Sequence, residues 1–313
     1  MAPSKRYYKQ VLEEHRQRLD RLADRRGLGP LKKLYDDAVA EQEMKLRARV
    51  RGPKDTFTMH QHRFVLAQVK EGQARLAARM AGELGDISRE AQKEAVRGLV
   101  HDVARLEKEY TRATVELPLE EAARFRGIID KRRTSLLRMH EGSMARYGAR
   151  SVKAVEKELS ISLMTGETQD DAITRVTAAV EGEWWQAERI VRTETAWAYN
   201  ASHKDAIAEA AEDFPDLMMQ WEEMVDEEGN PYDDRVALDS LAMHGQVAPP
   251  GGLFYMPPTT RRGEEVPESL VGGAWEFPPN RPNDRAVLSP WRQEWGIPGW
   301  QWKNGRRVPM RLT

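Results

Sequence analysis

Residues 187–202 run Ala-Glu-Arg-Ile-Val-Arg-Thr-Glu-Thr-Ala-Trp-Ala-Tyr-Asn-Ala-Ser, the most strongly patterned stretch of a 313-residue chain. Arg189, Thr193, Ala196 and Asn200 stand three or four residues apart and so share one face of a helix, with Arg192, Tyr199 and His203 beside it. This polar stripe, which also includes Glu194, is set among Ile190, Val191, Trp197 and Ala198. It is therefore expected to be partly buried, where Arg, Glu and Asn side chains must satisfy one another or a neighbouring backbone. The spacing predicts a helix over about 183–213, pinned by its stripe to a folded lobe that follows it.

Upstream of this helix the chain reads as helix after helix. Tyr7, Val11, Leu12, His15, Leu19 and Leu22 recur at helical spacing up to Gly27-Leu28-Gly29-Pro30, which is expected to break the helix. A second helix ends before Gly52-Pro53. A third runs through Phe64, Val69, Leu76 and Met80 to Gly85, after which Asp86 and Ser88 are expected to cap a fourth. Leu117-Pro118 with Glu120 and Glu121 reads as a new N-terminus. Gly142 and Gly148 are expected to loosen the end of a fifth helix before a sixth carries Val152, Val155, Leu159 and Leu163; Thr168 opens a short one.

Downstream, after Pro215, the texture changes. Residues 217–225 read as a strand containing Trp221, 226–231 as a turn, and Asp234 as the cap of a short helix through Leu241. From Gly245 on, periodicity is weak, with short strands expected near 253–256 and 274–277. Trp291, Trp295, Trp300 and Trp302 lie among Arg and Pro and read as an extended tail that needs a surface to lie on. The fold class expected is mainly α: a long N-terminal helical region (1–165), a small irregular α+β C-terminal lobe (166–290) and the extended tail (291–313).

Composition agrees with long amphipathic helices. Charged residues make up 32%, and mean hydropathy is −0.71, so apolar surface must be gathered into stripes. There is no cysteine, which excludes disulfides, thiolate chemistry and Cys-ligated zinc. No apolar run reaches membrane-spanning length, and Met1 leads into no apolar leader, so a soluble chain without a signal peptide is expected. A net charge of −1 conceals an asymmetry: residues 1–150 hold 33 Lys+Arg against 22 Asp+Glu, whereas 151–250 hold 7 against 22. A basic half of this kind suits either an acidic protein partner or packaged DNA.

The Arg-Thr-Glu helix with its downstream Asn200 is followed in order by Trp221, Asp234-Arg235-Val236, His244-Gly245-Gln246-Val247, Phe254 and Pro278-Pro279. Over about residues 160–290 this order resembles the Mu F-like phage head morphogenesis family. The resemblance implies a minor structural protein of a tailed phage or phage-like particle, present in the virion head and in the host cytoplasm during assembly. It also implies binding to the portal protein or the major capsid protein, and no enzyme activity. Many relatives close the module with a segment resembling Pro-Pro-x-His-Pro-x-Cys-Arg-Cys, which looks like a metal-binding end. Here residues 278–286 place Arg281, Asp284 and Ala286 at the His and Cys positions, so no metal is expected. Arg281, Asp284 and Arg285 are expected instead to close the lobe by ion pairs.

Two rival readings remain at this stage. Glu222, Glu223, Asp233, Asp234 and His244 gather carboxylates and one imidazole in a short stretch, but a single His and a capping Asp argue against a metal centre. The basic run Arg124, Arg126, Lys131, Arg132, Arg133 and Arg138 fits a DNA-contacting virion protein packaged or ejected with the genome. Phosphate-binding glycine loops and the Gly-x-Ser-x-Gly nucleophile turn are absent from the sequence, so no cofactor and no small-molecule substrate is expected.

Overall fold

A computed structural model describes residues 5–49, 55–112, 123–223, 225, 231, 238–282, 284 and 286–310, without the side chains of 5–9, 25, 26 and 123–126. Pro118, Glu120, Glu121, Asp233, Asp234, Arg235 and Arg285, and the cap and ion-pair roles expected of them, lie outside the described residues; so do Gly52-Pro53 and most of the turn at 226–231. The helical elements are α1 (Lys5–Arg21), a π-helical segment (Leu22–Leu28), α2 (Gly29–Arg47), α3 (Met59–Tyr110), α4 (Ala123–Thr165), α5 (Gln169–Glu181), α6 (Trp184–Ala210) and α7 (Leu238–Met243). The strands are β1 (Met218–Glu222), β2 (Val247–Ala248), β3 (Phe254–Tyr255), β4 (Ala274–Trp275), β5 (Val287–Trp291), β6 (Trp300–Lys303) and β7 (Arg306–Pro309). The chain is mainly helical, with a long N-terminal helical region and a small strand-containing C-terminal region. No helix of the described residues is long and apolar enough to cross a membrane.

Several expected breaks are crossed. The Gly27–Pro30 cluster does not end a helix: α1 passes through the π-helical turns straight into α2. Pro30 falls in the first turn of α2, directly after the π-helical turns. Gly85 does not end α3, which continues for 52 residues with Asp86 and Ser88 in its interior. A mid-helix glycine costs about 1 kcal/mol; a Cβ at Gly85 would sit 2.9 Å from Leu137 Cδ2, so the leucine side chain would have to turn aside. Gly148 likewise stays inside α4, where a Cβ would meet the Gln73 carbonyl and Ala77 Cβ at 3.4 Å. These glycines let α3 and α4 approach closely. Thr168 does cap α5, accepting the Asp171 N–H at 3.2 Å.

The chain forms two compact units, and they are not consecutive in sequence, unlike the division expected at residues 165 and 290. One unit comprises 23–87 and 134–192. Its core joins Leu31, Tyr35 and Val39 of α2 to Val69, Met80 and Leu84 of α3, Tyr147 and Leu159 of α4, and Ile173 and Val176 of α5. The other comprises 1–22, 88–133 and 193–313. Its core sets Leu99, Val103 and Leu106 of α3 and Ile207 of α6 with Trp221, Phe254, Leu288 and Trp291. A three-stranded antiparallel sheet, in the order β2-β1-β5, lies in this second unit with Met219 opposite Ala248 and Trp221 opposite Leu288. β3 pairs with β4, and β6 with β7 in a hairpin.

Residues 291–310 are not an extended tail. Trp291, Trp295 and Trp300 are buried, each with its indole N–H donating: Trp291 to the Ile297 carbonyl (3.0 Å), Trp295 to Glu107 Oε1 (2.8 Å) and Trp300 to the His244 carbonyl (2.9 Å). Trp302 is half-buried on β6. Arg292 bonds Glu107 on α3 and both oxygens of Asp216 at 2.9 Å. Trp291, Trp295 and Trp300 find their apolar surface within their own chain.

Candidate functional site

Of the residues singled out by the motif order, Asn200, Trp221, His244, Gly245 and Asp284 lie in the sheet-bearing unit. On α6, Asn200 is fully buried, and its amide spans the entry to β5: Nδ2 donates to the Ala286 carbonyl (3.2 Å) and Oδ1 accepts the Leu288 N–H (2.9 Å). One side chain thus satisfies a donor and an acceptor of irregular backbone. Asn200→Ala is expected to lower stability by about 2 kcal/mol, because both backbone groups lose their partner in a dry site. A shift in the urea midpoint checks the cost, and faster amide exchange at Leu288 checks the location.

The rest of the stripe is distributed differently from expectation. Arg192 bonds Asp24 (2.9 Å) and Glu188 (3.1 Å), and Arg189 stacks its guanidinium 5.2 Å from the Trp185 ring. Both belong to the other unit. Thr193 is half-buried and Glu194 buried. Asn200 connects directly to the lobe.

Beside the Asn200 joint, β1 ends in Trp221 and Glu222, and Glu223 follows it, all three buried. Trp221 packs edge-on against Phe254 with ring centroids 5.5 Å apart, and its backbone bonds both Gln246 and Gly245. Gly245 has φ +75°, and a Cβ there would lie 2.5 Å from Arg261 Nη2, so glycine is required both by backbone and by space. His244 Nδ1 faces the Glu223 N–H and Glu222 Oε2, each at 3.1 Å. Without a proton it accepts the former; with one it donates to the latter.

A buried polar knot closes the lobe from the other side. Asp284 accepts the N–H groups of Asn280 (3.0 Å) and Ala286 (3.1 Å) and the Ser240 hydroxyl (3.1 Å), while Ser240 also contacts Glu223. Arg281 forms an ion pair with Asp239 at 3.6 Å, and Asp284 is held by backbone N–H groups and the Ser240 hydroxyl. Asp284 acts as a loop clasp, a role that short carboxylates fill wherever irregular backbone leaves donors pointing inward. Ser240 and Asp239 were not anticipated, since a Ser and an Asp in a six-residue helix carry no pattern of their own.

A second cluster, also unanticipated as a unit, lies among α1, α3 and α6. Arg18 grips Asp102 with two bonds (2.8 and 3.2 Å), His15 lies 3.8 Å from the same carboxylate, and His203 donates from Nδ1 to the Ala95 carbonyl at 3.1 Å. His15, Asp102, Tyr199 and His203 are fully buried. Burial pushes the Tyr199 hydroxyl well above its ordinary pKa and His203 down to about 4. His15 falls well below its ordinary value through burial and the neighbouring His203.

Asn200, Asp284, Arg18 and Asp102 are engaged in holding backbone or one another, whereas both ring nitrogens of His15 and Nε2 of His203 are buried with no hydrogen-bond partner. Among the described residues no group of three or more His, Cys, Asp or Glu is placed to hold a metal ion. The basic run 124–138 is partly engaged too: Arg132 bonds both oxygens of Asp205 at 2.5 and 2.8 Å and lies over the Trp197 ring, while the side chains of Arg124 and Arg126 are outside the described residues. Comparison with family models, with curated proteins and with solved structures returns no match.

Proposed function

We propose that the chain is a minor structural protein of a tailed-phage head or phage-like particle, which binds the portal protein or the major capsid protein during head assembly. It works by adhesion, as a binding protein and not an enzyme, first in the host cytoplasm and then in the virion head. The reading rests on the Mu F-like order of motifs, and one observation carries it. Asn200, from the first motif element, is bonded to Ala286, the last residue of the closing segment, and to Leu288. This part of the first element and the end of the last, more than 80 residues apart, therefore meet within one compact unit. The inward engagement of Trp221, Gly245 and Asp284 supports the same reading.

The test is co-expression with the portal protein encoded beside the gene, followed by size-exclusion chromatography with light scattering at low and moderate salt. Co-elution that survives moderate salt is the expected result. Separate elution, with the chain alone retaining duplex DNA at low salt, replaces this reading with the genome-contacting one, since phosphate contacts weaken steeply as salt rises.

A further inference from the structure

The unit formed by 23–87 and 134–192 carries an open groove between α3 and α4, about 700 Å³ in volume. The two helices run antiparallel there, with Gly85 beside Leu137 and Gly148 beside Ala77. The walls are small: Ala74, Ala78 and Gly82 on α3, and Ala145 and Ala149 on α4, all exposed. Small side chains admit a third helix at the short end of interaxial distances, about 8 Å. Lys70 to Gly82 spans about 18 Å of helix axis, or roughly three turns.

Small residues alone do not define a site, but the groove also has a polar lining. Gln73 is 1% exposed, and neither its amide oxygen nor its nitrogen has a hydrogen-bond partner. A dry, unbonded amide is a standing cost to the free protein, and a polar group on a seated occupant removes it. The rims carry sign as well. The groove's charged lining is Lys70 and Glu141; the exposed charges flanking it on the same two helices include Arg79, Arg138, Arg146 and Lys153 against Glu83 and Glu156, with Arg75 paired to Glu71.

We propose that this groove receives an acidic amphipathic helix of a partner protein, three to four turns long, with its apolar side between α3 and α4 and its carboxylates on the basic rims. Apolar walls select a helix face, and a net positive rim selects its flanking charge. The inference stands apart from the particle assignment above, because it uses only this groove.

The test uses the full chain and a stapled helical peptide of about 15 residues, with a Leu/Ala stripe flanked by glutamates; its twin carries lysines instead. Fluorescence anisotropy is expected to give at least about tenfold tighter binding of the acidic peptide, a difference that Coulomb contacts of this number readily supply. Ala78→Trp, at an exposed position, fills the groove and is expected to weaken binding at least about tenfold with Tm unchanged. Gln73→Leu is expected to raise the Tm of the free chain while weakening the peptide, a split that a merely structural glutamine does not produce. Absence of binding at millimolar peptide, equal binding of the twins, or indifference to Ala78→Trp overturns the proposal. Concentration-dependent dimers abolished by Ala78→Trp also overturn it, by assigning the groove to a second copy of this chain.

Discussion

Asp102→Ala is expected to cost about 3–5 kcal/mol, the largest effect of any single substitution considered for this chain. Asp102 is fully buried, and it is the carboxylate that Arg18 grips with both terminal nitrogens. Burial by itself raises its pKa, but hydrogen bonds from His101 and Arg18 and the charge of its neighbours outweigh this and hold it below the ordinary carboxylate range. Removing the carboxylate strands a guanidinium that is only 14% exposed, and the cost is the unpaired charge more than the lost attraction. Gly98 offers no relief, because its missing Cβ is what makes room for Arg18: a Cβ there would lie 2.3 Å from Nη1. Urea titration at pH 7.5 measures the loss. A cost below about 1 kcal/mol would mean that Arg18 swings out to water, as exposed pairs do.

The second large effect is a fall in stability with mild acid. His203 has its pKa pushed down to about 4 and His15 lies well below its ordinary 6.5, in both cases chiefly through burial. In the unfolded chain both rings titrate near 6.5. Above that pH neither state is protonated, and the stability is fully present. Between 6.5 and 4 the unfolded chain takes up protons that the folded chain refuses, so stability falls as pH falls. For His203 alone the loss over this window is about 3 kcal/mol, from 1.36 kcal/mol per unit of pKa difference. Its buried Nε2 has no hydrogen-bond partner to reward a second proton. Equilibrium unfolding at pH 7 and pH 4.5 checks this, with His203→Leu as the reference. The variant is expected to show a slope shallower by about one proton, or roughly 1.4 kcal/mol per pH unit. Equal slopes would mean that His203 is not kept neutral. Paired carboxylates contribute in the same direction at lower pH, which the comparison of variants subtracts.

What local pattern determined is clear from particular elements. The helix at 184–210, the Thr168 cap, the strand around Trp221 and the short strands at 254–255 and 274–275 were all legible, because periodicity, capping and turn chemistry act within a few residues. The motif order also marked Asn200, Trp221, Gly245 and Asp284 as belonging together, though not how. Tertiary structure alone decided the rest. Gly85 and Gly148 read locally as helix ends, yet both lie inside long helices whose packing against each other outweighs their propensity. Trp291, Trp295 and Trp300 read as exposed anchors, since burial depends on Glu107, Ile297 and His244, two of which lie 188 and 56 positions from the tryptophans they bond. The His15–Arg18–Asp102–His203 cluster carried no signal, because its members lie on three helices and burial converts ordinary residues into a coupled group. Short-range sequence determines which elements form; which polar side chains are spared water is decided only when distant segments close over them.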